Sequence, residues 1–369
     1  LWLDVEQARS EYDNSDGRLG TRDALSPGNP PGYADELKFN RDQFAIGHTA
    51  RLGFGTIESS VMRSESETVG RTIPGGAIGP AATWLSPADM GQPRELKTVN
   101  TVVDTKLVAP LGENHVLTTG AQWWDADLTD GLLAEKHGQT MWALFAEDEW
   151  KLTQSLTATL GGRYNHHDAF GGEFSPRAYL VWNTNPNLTF KGGVSGGFKA
   201  PRLNQLIDGV SGVSGQGRTI NIGNPTLKPE TSTSAEFGVS FDTLRGSTTS
   251  ATLFHNRIKD RISSGGDCTS VWITSCAANP TATYSINIDE GKTWGLELSN
   301  RTELAKGLSL NLSYTWTDSE AVIDGAKRGK LSDTAEHVAA AQVRYDLSFW
   351  ARLPPVRIHV KADSQRMYE

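Results

Sequence analysis

The sequence predicts an all-β fold, a transmembrane antiparallel up-and-down β-barrel with long extracellular loops and short periplasmic turns. Three observations carry that expectation. Segments of about ten residues alternate apolar and polar side chains with period two. Tight turns and long connections follow one another in alternation. Large aromatics gather near segment ends, as the two interfaces of a bilayer demand.

The alternation is clearest from Leu308 to Thr317, where Leu308, Leu310, Leu312, Tyr314 and Trp316 oppose Ser309, Asn311, Ser313, Thr315 and Thr317. From Leu156 to Asn165, Leu156, Ala158, Leu160, Gly162 and Tyr164 oppose Thr157, Thr159, Arg163 and Asn165. Leu188, Phe190, Val194 and Phe198 oppose Thr189, Lys191, Ser195 and Lys199. Ala235, Phe237, Val239 and Phe241 oppose Ser234, Glu236, Ser240 and Asp242. Trp294, Leu296 and Leu298 oppose Glu297 and Ser299, and Val356, Ile358, Val360 and Ala362 oppose Arg357, His359, Lys361 and Asp363. The expected lipid-facing set includes Leu156, Leu160, Val239, Leu296, Leu298, Leu308, Leu310 and Leu312, with Leu310 near the midplane. In Thr140–Lys151 and Ser247–Lys259 both frames mix apolar and charged residues, and the pattern assigns no face.

Alternation alone also describes a soluble sandwich, so the connections decide. Tight turns fall at Gly53-Phe54-Gly55, Leu111-Gly112-Glu113, Thr153-Gln154-Ser155, Asn185-Pro186-Asn187, Leu244-Arg245-Gly246 and Ala305-Lys306-Gly307. Long connections fall near 13–36, 71–97, 128–138, 199–230, 262–282 and 319–333, and only 168–172 is short among them. The long ones, rich in Gly, Pro, Ser and Asp, read as solvated loops. Trp142, Trp150, Trp182, Tyr314 and Trp316 lie near strand ends, where aromatic girdles would sit.

Composition is compatible. Hydrophobic residues make up 37% of 369, and mean hydropathy is −0.41. No stretch approaches the ~18 apolar residues of a membrane helix, a test that a barrel escapes because only alternate residues face lipid. A net charge of −8 and no Lys/Arg run longer than two argue against a nucleic-acid partner. The chain opens at Leu1-Trp2-Leu3 and stops at Met367-Tyr368-Glu369 within a patterned strand, so it reads as an internal fragment of a barrel domain covering 1–369. Cys268 and Cys276 have no His beside them, which disfavours a metal site. A local disulfide in an oxidising compartment is the reading, with two unrelated thiols as the alternative. The histidines are scattered, and no cofactor is expected.

Specific motifs then carry a resemblance. Phe198-Lys199-Ala200-Pro201 closes a strand, and Gly223-Asn224-Pro225-Thr226-Leu227-Lys228-Pro229-Glu230 leads into the next. Trp150 to Tyr164 ends in Gly161-Gly162-Arg163-Tyr164; Phe174-Ser175-Pro176-Arg177 and Trp294-Gly295-Leu296-Glu297-Leu298 follow in order. Together they resemble TonB-dependent outer-membrane receptors from about 140 to 320, and the flanks more loosely.

That resemblance implies a 22-stranded barrel with a plugged lumen. About fifteen strand candidates are present, so the plug, the short energy-coupling segment (the TonB box) and the last strands are expected to lie outside this sequence. It implies a ferric siderophore as ligand, a TonB-type energy-transducing complex and outer-membrane lipid as partners, and no enzyme activity. Gln205-Leu206-Ile207-Asp208-Gly209 and Ser214-Gly215-Gln216-Gly217 look like the catecholate-siderophore and colicin-receptor branch, which adds colicins and phages as partners of that branch. An anionic aromatic chelate needs cations and rings, and the loops offer Tyr33, Arg71, Trp84, Arg202, Arg218, Trp272, Lys327 and Arg328. Haem is the rival ligand, but residues 202–223 contain no His, Met, Cys or Tyr to ligate its iron. A passive porin would lack the two boxes. His166-His167-Asp168 could suggest a base and its orienter, but no paired nucleophile accompanies it, and rim histidines are the expectation.

Overall fold

A computed structural model of the chain describes residues 1–15, 33–75, 82–214, 219–268, 273–323, 326–331, 334–346 and 357–363. Eighteen strands form one sheet. They are β1 (Trp2–Asp13), β2 (Tyr33–Leu52), β3 (Gly55–Arg71), β4 (Leu96–Leu111), β5 (His115–Asp130), β6 (His137–Lys151), β7 (Leu156–His167), β8 (Gly171–Asn185) and β9 (Leu188–Lys199). There follow β10 (Val210–Ser214), β11 (Thr219–Ile222), β12 (Glu230–Asp242), β13 (Ser247–Asp267), β14 (Thr283–Ala305), β15 (Leu308–Ile323), β16 (Ala326–Gly329), β17 (His337–Asp346) and β18 (Arg357–Asp363). The one α-helix among the described residues, α1 (Thr274–Ala278), has five residues.

Fifteen of the strands form an antiparallel meander. From β1 to β9 each pairs with the next; β9 then pairs β12, and the run continues through β13, β14, β15, β17 and β18. The exceptions belong to the loops. β10 and β11 make a hairpin that joins the sheet only where β11 runs parallel to β14, and β16 folds back on the end of β15. Among the described residues no pairing joins β18 to β1, so the sheet is a curtain with two free edges.

Every expected tight turn falls between two meander strands, and all six lie at one end of the sheet. The β12–β13 turn shows the local chemistry. Leu244 (φ 57°) and Gly246 (φ 90°) take left-handed backbone, and the Asp242 carboxylate accepts the Leu244 N–H at 2.6 Å. The long connections collect at the other end, and 168–170 is the short one there.

Register assigns the faces. Leu156, Trp182, Phe190, Val239, Ala251, Leu298 and Tyr314 lie in one cross-strand row. Leu160, Leu180, Leu253 and Leu296 lie on that face one or two rows away, as alternate residues must. This apolar face is open: Leu253 is 57% and Leu160 52% exposed. The opposite face is polar, with Asp104, Gln122, Arg163 and Asn165 hydrogen-bonded in a chain across β4, β5 and β7. Apolar side chains at the solvent surface and polar ones on the other face are the inverse of a soluble sandwich.

The structure settles the two ambiguous segments. On β6 the apolar face takes Trp142, Leu144 and Trp150, and the one acid among them, Asp148, is held by His115 Nδ1 at 2.7 Å. The His115 ring stacks on Trp150, with centroids 5.3 Å apart. On β13 the apolar face takes Ala251 and Leu253; Phe254 turns to the polar face, over Gly295. A Cβ at Gly295 would meet that ring at 2.7 Å, which explains the glycine of the Trp294–Leu298 motif. The aromatics form two belts: Trp150 and Trp182 near the tight turns, Trp142 and Trp316 toward the loops. Trp142 to Trp150 spans about 20 Å for a tilted strand, close to an apolar band of ~25 Å. One expectation is corrected. Leu310 is the third residue of β15 after the tight turn, level with the lower belt, and Leu312 is nearer the middle of the band.

Candidate functional site at the long-loop end

The two boxes act as fasteners. Pro201 is fully buried and Leu227 is 2% exposed. Lys199 pairs with Glu230, whose Oε1 lies 3.1 Å from Lys199 Nζ and accepts the Ile262 N–H at 3.0 Å. Asn224 donates from Nδ2 to the Ser285 carbonyl (3.0 Å), and its Oδ1 accepts from the Thr226 N–H and hydroxyl. Asn287 accepts the Lys228 N–H and donates to the Lys228 carbonyl, both at 2.9 Å. Pro229 fixes the backbone at the entry to β12. Box polarity thus ties β9 and β12 to β13 and β14.

The long connections are more than solvated loops, which corrects the compositional reading. Ile73, Leu132, Val210, Ile222, Ile273 and Cys276, from four of them, share one apolar core. Cys268 and Cys276 are disulfide-bonded, with Cα atoms 5.1 Å apart, inside that core. Asp208 accepts the N–H groups of Thr274 (3.1 Å) and Ser275 (2.9 Å) at the start of α1. Arg94 and Asp130 make a two-pronged ion pair beside it. The Asp89 carboxyl lies below its usual range because the Ser86 N–H and hydroxyl donate to it.

Under this cap lies a cavity of about 740 Å³, within the ~300–1,000 Å³ range of small-molecule sites. Its wall is the polar face of β4 to β7, with Trp124, Gln139, Arg163 and Asn165; its roof runs from Phe198 to Asn204 and includes Arg202. Arg163 donates to Asn165 Oδ1 and Gln122 Oε1, both at 2.7 Å, and lies 5.8 Å from the Phe145 ring centroid. Gln139 is 6% and Asn165 2% exposed, and Gln139 Oε1 and Asn165 Nδ2 have no hydrogen-bond partner among the described residues. Each such orphan costs ~1–3 kcal/mol, so the wall favours a polar occupant.

Of the loop candidates, the structure joins Tyr33 and Arg71, opposed in register with the guanidinium 4.3 Å from the ring centroid. Trp84 is 42% exposed on the β3–β4 connection. Arg202 is exposed and lines the cavity. Lys327 and Arg328 belong to β16, at the same end of the sheet. Arg218 and Trp272 lie outside the described residues. Sequence reading missed Arg94, Asp130, Trp124 and Gln139; the inward frame of β7, with Arg163 and Asn165, was the available pointer.

The histidine pair changes character. His166 stacks on Trp142 on the apolar face, and His167, the last residue of β7 at the rim, is 1% exposed and stacked on Phe170 at 4.2 Å. Asp168 Oδ2 accepts the Thr140 N–H at 2.8 Å and fastens the turn. Among the described residues no cluster of His, Cys, Asp and Glu forms a metal site.

A family model described as TonB dependent receptor-like, β-barrel, matches residues 4–366. The chain belongs to that family. This TonB-dependent receptor barrel is 36% identical over 291 residues to the iron-regulated outer membrane virulence protein of Vibrio cholerae serotype O1, across 75% of this chain and 44% of that one. It is 27% identical over 307 residues to the ferric enterobactin receptor of Pseudomonas aeruginosa, across 74% of this chain and 40% of the relative. The chain thus spans less than half the length of these relatives. Among solved structures, the siderophore receptor PirA from Pseudomonas aeruginosa matches with a TM-score of 0.64 at 21% identity, over 84% of this chain and 52% of that one. In an outer-membrane barrel of this family the open apolar face meets lipid, the tight turns are periplasmic and the capped end is extracellular.

Proposed function

We propose that this chain is the barrel part of an outer-membrane receptor that takes up a ferric siderophore of the catecholate type, driven by a TonB-type energy-transducing complex. The observation that carries the reading is the cavity under the fastened extracellular loops, where Arg163 and Arg202 stand beside Trp124 and Phe198. Cations and rings lining one cavity suit an anionic chelate of aromatic rings. The relatives' names support this: one is a ferric enterobactin receptor, and a variant of such a receptor from Pseudomonas aeruginosa is solved with enterobactin bound. In this reading a plug domain and further strands complete the protein, and it performs no catalysis.

The test is iron-limited growth of a deletion strain on a panel of ferric chelates and haem. Rescue by ferric catecholates, only with the energy complex working, is the expected result. Rescue by haem alone would overturn the ligand, and passage of small neutral solutes without energy would overturn the receptor reading. Replacing Arg202 and Arg218 together by Ala weakens binding and flattens its salt dependence.

A further inference from the structure

The lipid-facing side carries a site that siderophore uptake does not use. Gly192 and Val194 on β9 and Ala235 on β12 leave a shallow groove of about 660 Å³, flanked by Leu180, Phe237 and Leu253. Its small side chains lie where neighbouring strands present leucines and aromatics, so the trough is built into the apolar face. Toward the extracellular end it closes at the row Val194, Ala235, His255.

Directly above, on the same face of β13, come Arg257 and then Lys259, both exposed. The groups around them are unequal. On the groove side, β12 places only Thr233 and Thr231 opposite them. On the far side β14 places Lys292 and Glu290 opposite. Glu290 is already held by Arg257 and Lys292. Three cations (Arg257, Lys259 and Lys292) and two anions (Glu290 and, opposite Lys292 on β15, Glu320) leave a local charge of +1, and among the described residues Lys259 forms no ion pair. The acids of β15, Asp318 and Glu320, lie beyond β14, away from the groove.

We propose that this groove and its basic crown bind a phosphorylated, multiply acylated glycolipid of the outer leaflet, one acyl chain along Gly192 and Ala235 and a phosphate on Lys259 and Arg257. The apolar trough lies within the band between the aromatic belts, and the cations lie at headgroup height on the extracellular side. That pairing fits an amphiphile with an anionic head. A second copy of this chain would bring like charges together at the crown, which disfavours it. The site is independent of which chelate the receptor carries.

The full-length receptor, stripped of lipid in mild detergent, is incubated with diphosphoryl lipid A or with the same lipid after phosphate removal, and bound lipid is counted by native mass spectrometry. The wild type retains the phosphorylated form preferentially. Lys259→Ala lowers that retention roughly fivefold and Lys259→Glu roughly twenty-five-fold, the effect of one and two surface charges, while the dephosphorylated form is unaffected. Ala235→Phe, an apolar change that fills the groove, lowers retention of both forms. Equal retention of the two lipids by the wild type, or unchanged retention in the Lys259 variants, overturns the proposal. So does a Leu253→Cys variant that cross-links two receptors in place of admitting lipid.

Discussion

Arg94 grips Asp130 with both arms: Nε lies 2.7 Å from Oδ1 and the terminal nitrogen 2.6 Å from Oδ2. Their side chains are 12% and 6% exposed. The same carboxylate accepts the Leu132 N–H at 3.0 Å, and Leu132 is fully buried in the loop core. One ion pair therefore connects the cavity wall to its cap. Removing one partner strands a buried charge, and Arg94→Ala or Asp130→Ala should destabilise the cap by ~3–5 kcal/mol. The joint replacement Arg94→Met with Asp130→Leu should lie much closer to the wild type. Thermal unfolding of the three variants checks this; equal losses in all three would show that the pair adds more than mutual neutralisation.

The disulfide acts on the same cap through the unfolded chain. Cys268 and Cys276 close a loop with a sequence separation of 8. The chain-entropy model gives about 2–3 kcal/mol for a loop of that size. Replacing both cysteines by serine should lower cap stability by that amount and raise proteolysis around 273–282, with β-sheet content unchanged. Ready labelling of both thiols in untreated, oxidised protein would contradict it.

Depth in the membrane separates two neighbouring leucines. Leu312 lies near the middle of the apolar band, and Leu310 beside the lower aromatic belt. Leu312→Arg should cost ~2–4 kcal/mol on folding into a bilayer, and Leu310→Arg ~0–1 kcal/mol, as expected at an interface. Denaturant titrations in lipid vesicles measure both. A larger penalty at Leu310 would place the band lower.

The wall of this protein was legible because membrane strands obey a period of two and nothing in their neighbourhood overrides it. Leu308 to Trp316 and Leu156 to Tyr164 show their apolar face directly, and the tight turns announce themselves through Gly246, Gly307 and Asn187. The strand at 140–151 was illegible because Asp148 shares a face with Leu144 and Trp150, tolerated only through His115 on the next strand. The cavity was harder still. Arg94 and Asp130 are 36 positions apart and meet only after β4 and β5 pair. Loop apolar residues such as Ile73, Leu132 and Ile222 carry no periodicity, so a core assembled from four loops leaves no local signature. Family resemblance located the boxes, but their role as fasteners depends on Ser285 and Asn287, some sixty positions away.

Acid should loosen the extracellular extension of the wall before the membrane band. β13 and β14 run 21 and 23 residues, about twice the 9–11 that cross a bilayer. Glu290 lies in the projecting part, six residues past Leu296, the partner of Trp316 in the loop-side belt. Its carboxyl is pulled down to about 2 from 4.5, first by the hydrogen bond from Arg257 and then by Lys292, whose ammonium is 2.8 Å from Oε1. A depressed carboxyl stabilises the folded form fully above its unfolded value, and that contribution is lost as pH falls toward its folded value. The window is therefore pH 4.5 down to about 2. Arg257 is 44% exposed, so solvent screens the pair and the effect stays local. Hydrogen exchange in 257–262 and 283–291, corrected for intrinsic rates, should accelerate across that window, and exchange in the lower halves of the two strands should not. Glu290→Gln should show the faster exchange at neutral pH and lose the acid dependence. A carbon NMR titration of Glu290 with its midpoint near 4.5 would remove the basis of the prediction.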